Sequence, residues 1–214
     1  MIHRIVARLG FWPRTIVALT LIATIVNLGV EGRAVANTSA YELYCPGSPV
    51  GNVAFNGVVT TGSLSPSAPS KGESFSITDY QTTVSIFPAI VNAAAALGNK
   101  TLNGTIDSTV KVSKAKPASS SEKESYSSKI PSDIEGALPV SAPSSAATLG
   151  PFKATSSTIA VTENTQVPMT IDVTPGATPL TLNCTTYPNN ATASGLGAKK
   201  PSGSPVAPVI AKSG

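Results

Sequence analysis

The feature that most constrains this fold is a two-residue alternation of apolar and polar side chains in several short segments. In residues 100–116, Ile106, Val110 and Val112 share one face and Asp107 lies on the other. A period of two is typical of strands with one buried face. The same rhythm, with turn-forming residues between the segments, occurs in residues 52–62, 74–80, 82–87, 147–155, 157–163, 167–175 and 179–187. Short strands at a spacing of about ten residues predict an all-β domain, an antiparallel β-sandwich of Ig-like or Greek-key style.

Three segments depart from this alternation. Residues 88–98 predict one short α-helix, because Pro88 suits a first helical turn, the alanine run favours a helix and Gly98 suits its end. Residues 117–133 are Ser-rich and predict a polar surface loop. Residues 189–214 are rich in Pro, Gly and Ser and nearly aperiodic, which predicts a flexible tail.

The N-terminal residues predict export. Three arginines precede an apolar run over residues 15–30, and Ala34-Val35-Ala36 follows it. A basic start, an apolar stretch and small residues before a cleavage point make a secretory signal. We expect residues 1–36 to be removed between Ala36 and Asn37, leaving a β-sandwich domain over residues 37–188. An uncleaved membrane anchor is the alternative reading of the same apolar run.

No second apolar run of spanning length follows in the sequence, so we expect no membrane span after signal removal and an extracellular or cell-surface location. The full chain has 15 Lys+Arg and 11 Asp+Glu, but residues 1–36 contain four arginines and one glutamate. The remainder carries 11 lysines and 10 acidic residues, with no Arg, His or Trp. Nucleic-acid binding needs clustered basic and aromatic side chains, so no nucleic-acid partner is expected.

The same composition restricts catalysis. The single histidine, His3, leaves with the signal, which excludes a His-based triad in the exported chain. Two Ser-x-x-Lys matches remain, Ser113 with Lys116 and Ser120 with Lys123; in Ser-Lys enzymes this spacing places both side chains on one helix face. Both matches lie in or beside the Ser-rich segment and are expected to arise by chance.

Acidic and metal-binding patterns are equally sparse. Glu122, Lys123 and Glu124 are interpreted as a solvated charge run, and Asp107 as an outward strand residue. Two distant carboxylates brought together by the fold remain the alternative on which a glycosidase would depend. No metal-ligand or phosphate-binding spacing occurs in the sequence, so we predict no catalytic residue, no metal and no cofactor.

The two cysteines, Cys45 and Cys184, are predicted to form a disulfide. An even cysteine count in an exported chain indicates a bridge, because such compartments are oxidising. Cys184 follows Leu180 and Leu182 on one strand face, and Cys45 follows Leu43 in the same way, so both sulfurs are expected to point inward. A catalytic thiolate needs a nearby cation, which the neighbouring residues do not supply. Closing a loop of about 140 residues is worth roughly 5 kcal/mol in the chain-entropy model.

Taken together, the leader, the opening "YELYC", the stretch "TTVSIFPAIVNAAAALGNKTLNGTIDSTVKVS", the stretch "GPFKATSSTIAVTE" and "PLTLNC" resemble uncharacterised exported proteins, secreted or of the cell envelope, in actinobacteria. The likeness covers most of residues 41–187. It implies an all-β extracytoplasmic domain and carries over no catalytic residues.

Two classes of function fit these features best. The first is a secreted non-enzymatic β-sandwich protein with a structural or interaction role in the cell envelope, where cell-wall components are the partners to expect. The second is an extracellular glycan- or lipid-binding module, which requires a cavity of several hundred Å³ with convergent polar groups. An extracellular hydrolase using Lys or carboxylates is the third.

Overall fold

Long strands with a two-residue burial repeat dominate the structure, a computed structural model that describes residues 39–132 and 135–213. The clearest repeat is that of residues 101–112, in which every second side chain is buried. Strands alternate with tight turns, as the spacing of the Gly, Pro and Ser clusters predicts. Among the described residues the strands, in chain order, are β1 (Tyr41–Ser48), β2 (Gly51–Ser65), β3 (Ser74–Ile86), β4 (Thr101–Val112), β5 (Ala115–Lys116), β6 (Ser119–Lys129), β7 (Leu138–Ala154), β8 (Ala160–Glu163), β9 (Gln166–Ile171), β10 (Leu180–Pro188), β11 (Gly195–Leu196) and β12 (Val209–Lys212).

All strand pairs are antiparallel and belong to one large sheet. Its order is β12-β8-β4-β9-β10-β1-β2-β3-β7-β5, with β6 also paired to β4 and β11 also paired to β2. The all-β prediction is therefore confirmed. The finer prediction of an Ig-like sandwich is not confirmed, because the hydrogen-bonded path runs through β2 without dividing the strands into two separate sheets.

The sheet curls until β6 lies along β7. Ser128 Oγ donates to the Pro139 carbonyl at 3.3 Å, and Ser144 Oγ donates to the Ser125 carbonyl at 3.4 Å. Pro139 has no backbone N–H, so it cannot donate a ladder hydrogen bond to a neighbouring strand. Side-chain hydroxyls therefore join β6 to β7 where a backbone ladder would otherwise be expected.

The curled sheet encloses two apolar clusters. The main core contains the disulfide cysteines and inward side chains of eight strands, with examples in Leu43, Phe55, Val84, Ile106 and Leu182. The second core is formed by Leu64, Phe75, Ile77, Tyr80, Val110, Val112, Ala115, Leu149, Phe152, Ala154, Ile159, Val161, Ile210 and Ala211. Long strands such as β3 and β4 contribute to both cores, which is why they exceed the usual strand length of five or six residues.

One helix, α1 (Pro88–Ala96), covers an end of the main core, and the predicted helix at residues 88–98 is confirmed. Proline occupies its first turn. Gly98, at φ +94°, follows the last turn in the left-handed region that glycine adopts without steric cost. Ile90, Val91 and Ala94 are the buried side chains of α1.

The Ser-rich segment differs from its prediction as a loop. Residues Ser119–Lys129 form β6, which pairs with β4 along its whole length. Glu124 and Tyr126 face inward and are buried, whereas the serines around them face outward. Serine-rich composition hid a strand because only two of its side chains contribute to the interior.

The C-terminal segment also differs from the predicted flexible tail. Thr192 N–H donates to Glu42 Oε2 at 2.8 Å, and Val206 N–H donates to the Thr186 carbonyl at 3.1 Å. Further along, β12 pairs with β8 and places Ile210, fully buried, in the second core. The segment is held because its backbone amides find partners on β1 and β10 and because β12 pairs with β8 and buries Ile210 in the second core.

Candidate functional site

Cys45 and Cys184 form a disulfide, as predicted. They lie opposite each other on β1 and β10, one step along the antiparallel register from the Tyr44–Thr185 pair. Their Cα atoms are 4.0 Å apart, and both residues are fully buried in the main core. The described residues contain no free cysteine. A buried, bridged sulfur has no thiolate to offer, so these residues stabilise the fold.

The two Ser-x-x-Lys matches do not form a catalytic pair. Ser113 lies in the turn after β4, where its Oγ accepts the Ala160 N–H at 2.9 Å. Ser120 and Lys123 lie on β6, and residues three apart on a strand point to opposite faces. Neither match lies on a helix, which is the arrangement the Ser-Lys mechanism uses.

The interpretation of residues 122–124 as a solvated charge run is wrong for one of its members. Glu122 and Lys123 are exposed, and Lys123 Nζ lies 4.0 Å from Asp107 Oδ1. Glu124 alternates to the other face of β6 and is buried. The strand period separates Lys123 from Glu124, whereas Glu122 shares the face of Glu124 but lies at a position that is exposed.

Glu124 belongs to a buried polar layer between the two apolar cores. On β2, β3 and β4 the layer lies between main-core and second-core residues; Ser108, for example, lies between Ile106 and Val110. The six members of this polar layer are Thr60, Tyr80, Thr82, Ser108, Glu124 and Glu163.

Hydrogen bonds connect much of the polar layer. Tyr80 Oη donates to Glu163 Oε2 at 3.0 Å. Glu163 Oε1 accepts the N–H groups of Thr109 and Asn164, each at 3.2 Å. On the other side of the layer, the Thr60 hydroxyl lies 3.0 Å from that of Thr82. Glu163 thus has acceptor contacts on both oxygens, consistent with the rule that buried polar groups find partners.

Burial controls the charge of the two carboxyl groups. Loss of water raises the pKa of Glu163 to about 7, although its three hydrogen bonds favour the ionised form. Loss of water, and then the negative charges of Glu122 and Glu163, raise the pKa of Glu124 to about 7. Glu124 Oε2 accepts no hydrogen bond from the described residues. Burial likewise raises the pKa of Tyr80, so its phenol stays protonated and serves as a donor.

The structure thus brings together two carboxyl groups that the sequence interpretation did not pair. Both titrate near neutrality, but Glu163 is fully buried and Glu124 is 8 % exposed. A glycosidase pair flanks a cleft that admits a sugar and a water molecule. Glu124 and Glu163 are buried inside the fold instead. Their protonation therefore affects the free energy of unfolding.

A polar groove lies on the outer face of the sheet, across β6, β4 and β9. Its volume is about 540 Å³. Asp172 and Asn103 offer an acidic and an amide group, and two threonines and two serines offer hydroxyl groups. The lining residues of this polar groove are Asn103, Gly104, Thr105, Lys123, Ser125, Tyr126, Ser127, Thr170, Asp172 and Pro179.

Some predictions are not addressed by these contacts. The signal cleavage site between Ala36 and Asn37 lies outside the described residues. Within residues 39–132 and 135–213, no group of three or more His, Cys, Asp or Glu side chains is arranged to hold a metal ion. In the same part of the chain, no helix is long and apolar enough to cross a membrane.

Comparison with known proteins finds no matching family model, no matching curated protein and no matching solved structure. The resemblance to exported proteins of actinobacteria therefore stays a prediction.

Proposed function

We propose that this chain is an exported, non-enzymatic β protein with a structural or interaction role in the cell envelope. The observation that carries this proposal is the buried disulfide between Cys45 and Cys184. Disulfides persist in oxidising compartments outside the cytoplasm and are rare within it. A leader-like N-terminus in the sequence supports the same direction of transport.

The position of the disulfide in the sequence lets it stabilise the folded domain strongly. It joins two residues 139 positions apart, near the first strand and the last long strand of the described fold. Cross-linking so long a loop stabilises a fold by about 5 kcal/mol in the chain-entropy model. Typical domains are stable by about 5–15 kcal/mol, so this contribution is a large fraction of the whole.

Export is tested by expressing the full chain in an actinobacterial host and separating cytosol, envelope and medium. We expect the protein in the envelope or medium fraction, shortened at its N-terminus, with both cysteines blocked to alkylation until a reductant is added. A variant with Ala36→Leu, which alters the residue before the predicted cleavage point, should keep the leader mass. Full-length protein in the cytosol with two alkylatable thiols would contradict the proposal.

The polar groove favours the second function class, an extracellular glycan-binding module. A groove of about 540 Å³ falls within the range of ligand sites, and several polar side chains converge on it. Eight of its ten lining residues carry a polar side chain, and their hydroxyl and amide groups can exchange hydrogen bonds with a polyhydroxylated ligand. Cell-wall components are the partners that an exported protein with such a surface would meet.

A further inference from the structure

We propose that the polar groove binds a neutral polysaccharide strand laid across β6, β4 and β9. This inference rests on the proposed function, because such a ligand is reached only by an exported protein. It adds the site, the ligand class and the residues that make the contacts.

Register places hydroxyl groups in a row across the sheet. Thr105 of β4 lies opposite Ser125 of β6 on one side and Thr170 of β9 on the other. Thr181 of β10 extends the row beyond Thr170. Neighbouring strands are about 4.8 Å apart, so these side chains form a line of donors and acceptors perpendicular to the strands.

A second row runs parallel to the first, toward one end of the strands. Asn103 lies opposite Ser127 of β6, and on the other side its carbonyl accepts the Asp172 N–H at 2.8 Å. Carboxylate and amide groups accept and donate paired hydrogen bonds, which suits adjacent hydroxyls on a sugar ring. The Asp172 side chain is half-buried and lines the groove, where its carboxylate can accept hydrogen bonds from a ligand.

The floor of the groove is rigid. Tyr126 crosses β4 at Gly104, and its Oη donates to the Thr170 carbonyl at 2.9 Å. A Cβ at position 104 would collide with both that carbonyl and the tyrosine hydroxyl, so only glycine allows this crossing. Thr170 Oγ in turn accepts the Thr105 N–H at 3.0 Å. Groups already held in place lose little conformational freedom when a ligand binds.

Charge distinguishes a neutral glycan from a phosphate-containing polymer. One lysine, Lys123, lines the groove, and its ammonium lies 4.0 Å from Asp107 Oδ1. Asp172 adds a second negative charge on the opposite side. A phosphate polymer would meet the Asp172 carboxylate and a single lysine whose ammonium lies close to Asp107, whereas phosphate sites collect several basic groups. Neutral or N-acetylated sugars fit this balance.

Affinity at a single groove should be modest. The lining residues include no exposed aromatic ring, because Tyr126 is buried beneath the surface. Binding then depends on hydrogen bonds that replace those made to water, and such bonds contribute little net free energy each. We expect a dissociation constant of the order of millimolar for a short oligosaccharide. Retention on an insoluble polysaccharide, where many sites lie close together, should be stronger.

The test uses protein recovered from the medium and four named probes. Retention is measured on insoluble peptidoglycan, chitin and cellulose, and chitotetraose is titrated while backbone amide NMR shifts are followed. We expect retention on at least one polysaccharide and shift changes at Asn103, Thr105, Ser125 and Thr170. The isosteric variant Asp172→Asn should weaken retention by about tenfold, since hydrogen bonds to a charged group are the stronger ones.

Glu122→Gln is the matched control, because it removes one carboxylate from the same region without lining the groove. It should bind as the parent protein does. Equal retention of Asp172→Asn and the parent protein would overturn the proposed site. No retention on any of the three polysaccharides, together with no shifts on titration, would overturn the ligand class. Both results leave export and the disulfide intact, so failure of this inference is distinguishable from failure of the proposed function.

Discussion

Replacing Glu163 by Gln should stabilise the protein above neutral pH. In the folded chain, burial raises the pKa of Glu163 to about 7 from its ordinary value of 4.5. Between these two values the folded protein holds a proton that the unfolded chain has lost. The free energy of unfolding therefore falls as pH rises through this window and levels off above about pH 7.

The magnitude follows from the two pKa values. Each unit of pKa difference is worth about 1.4 kcal/mol, so ionisation of Glu163 alone costs the folded state about 3 kcal/mol at pH 8. Gln has nearly the same shape, and its amide oxygen can still accept the Thr109 and Asn164 N–H groups. Its NH₂ group then faces Tyr80 Oη, which can accept as well as donate. We expect parent and variant to differ by less than about 1 kcal/mol at pH 5, since both are then neutral at this position.

Urea unfolding followed by far-UV circular dichroism at pH 5, 6, 7 and 8 measures the effect. The variant should exceed the parent by about 2–3 kcal/mol at pH 8, with a flatter dependence on pH. Some slope should remain in the variant, because burial also raises the pKa of Glu124 to about 7. Glu135→Gln, at an exposed site before β7 that perturbs neither buried carboxyl group, serves as the control. An unchanged pH slope in Glu163→Gln, or equal destabilisation at pH 5 and pH 8, would refute the reasoning.

Three further substitutions test the packing with the same urea assay. Gly104→Ala should lower the free energy of unfolding by more than about 2 kcal/mol, because its Cβ collides with the β9 backbone and the Tyr126 ring; Gly136→Ala, with open space around it, should not. Tyr126→Phe should cost about 1 kcal/mol by leaving a β9 carbonyl without its donor, and no loss would contradict that hydrogen bond. Ile210→Ala should cost about 2–4 kcal/mol, against little change for the exposed Val209→Ala; equal effects would mean that the C-terminal segment does not pack.

The period of two in the sequence predicts most of this fold. It identifies the strands that carry branched apolar residues, such as β4, and the inward direction of both cysteines. It fails for β6, where Glu124 and Tyr126 occupy the buried positions that apolar residues usually hold. It also fails for the C-terminal segment, since a few scattered buried side chains, such as Ala198 and Ile210, and scattered backbone hydrogen bonds leave no periodic signal.

The candidate sites were harder to predict, for a different reason. Glu163 follows Ile159 and Val161 at the same two-residue spacing, so its inward direction was available from the sequence. Its partner Tyr80 is 83 residues away, and only the folded sheet brings the two together. The polar groove likewise depends on β4 pairing with both β6 and β9. The alternation of apolar and polar residues within a strand does not predict which strands are neighbours in the sheet.

Peptide mapping of protein recovered from the culture medium, without and with reductant, tests most directly whether the Cys45–Cys184 bridge forms in an exported domain. We expect one cross-linked peptide pair containing Cys45 and Cys184, which reductant separates into two peptides. It also predicts an N-terminal peptide that begins at Asn37. Both cysteines as free thiols in the exported protein would contradict the claim that this bridge stabilises an extracytoplasmic domain.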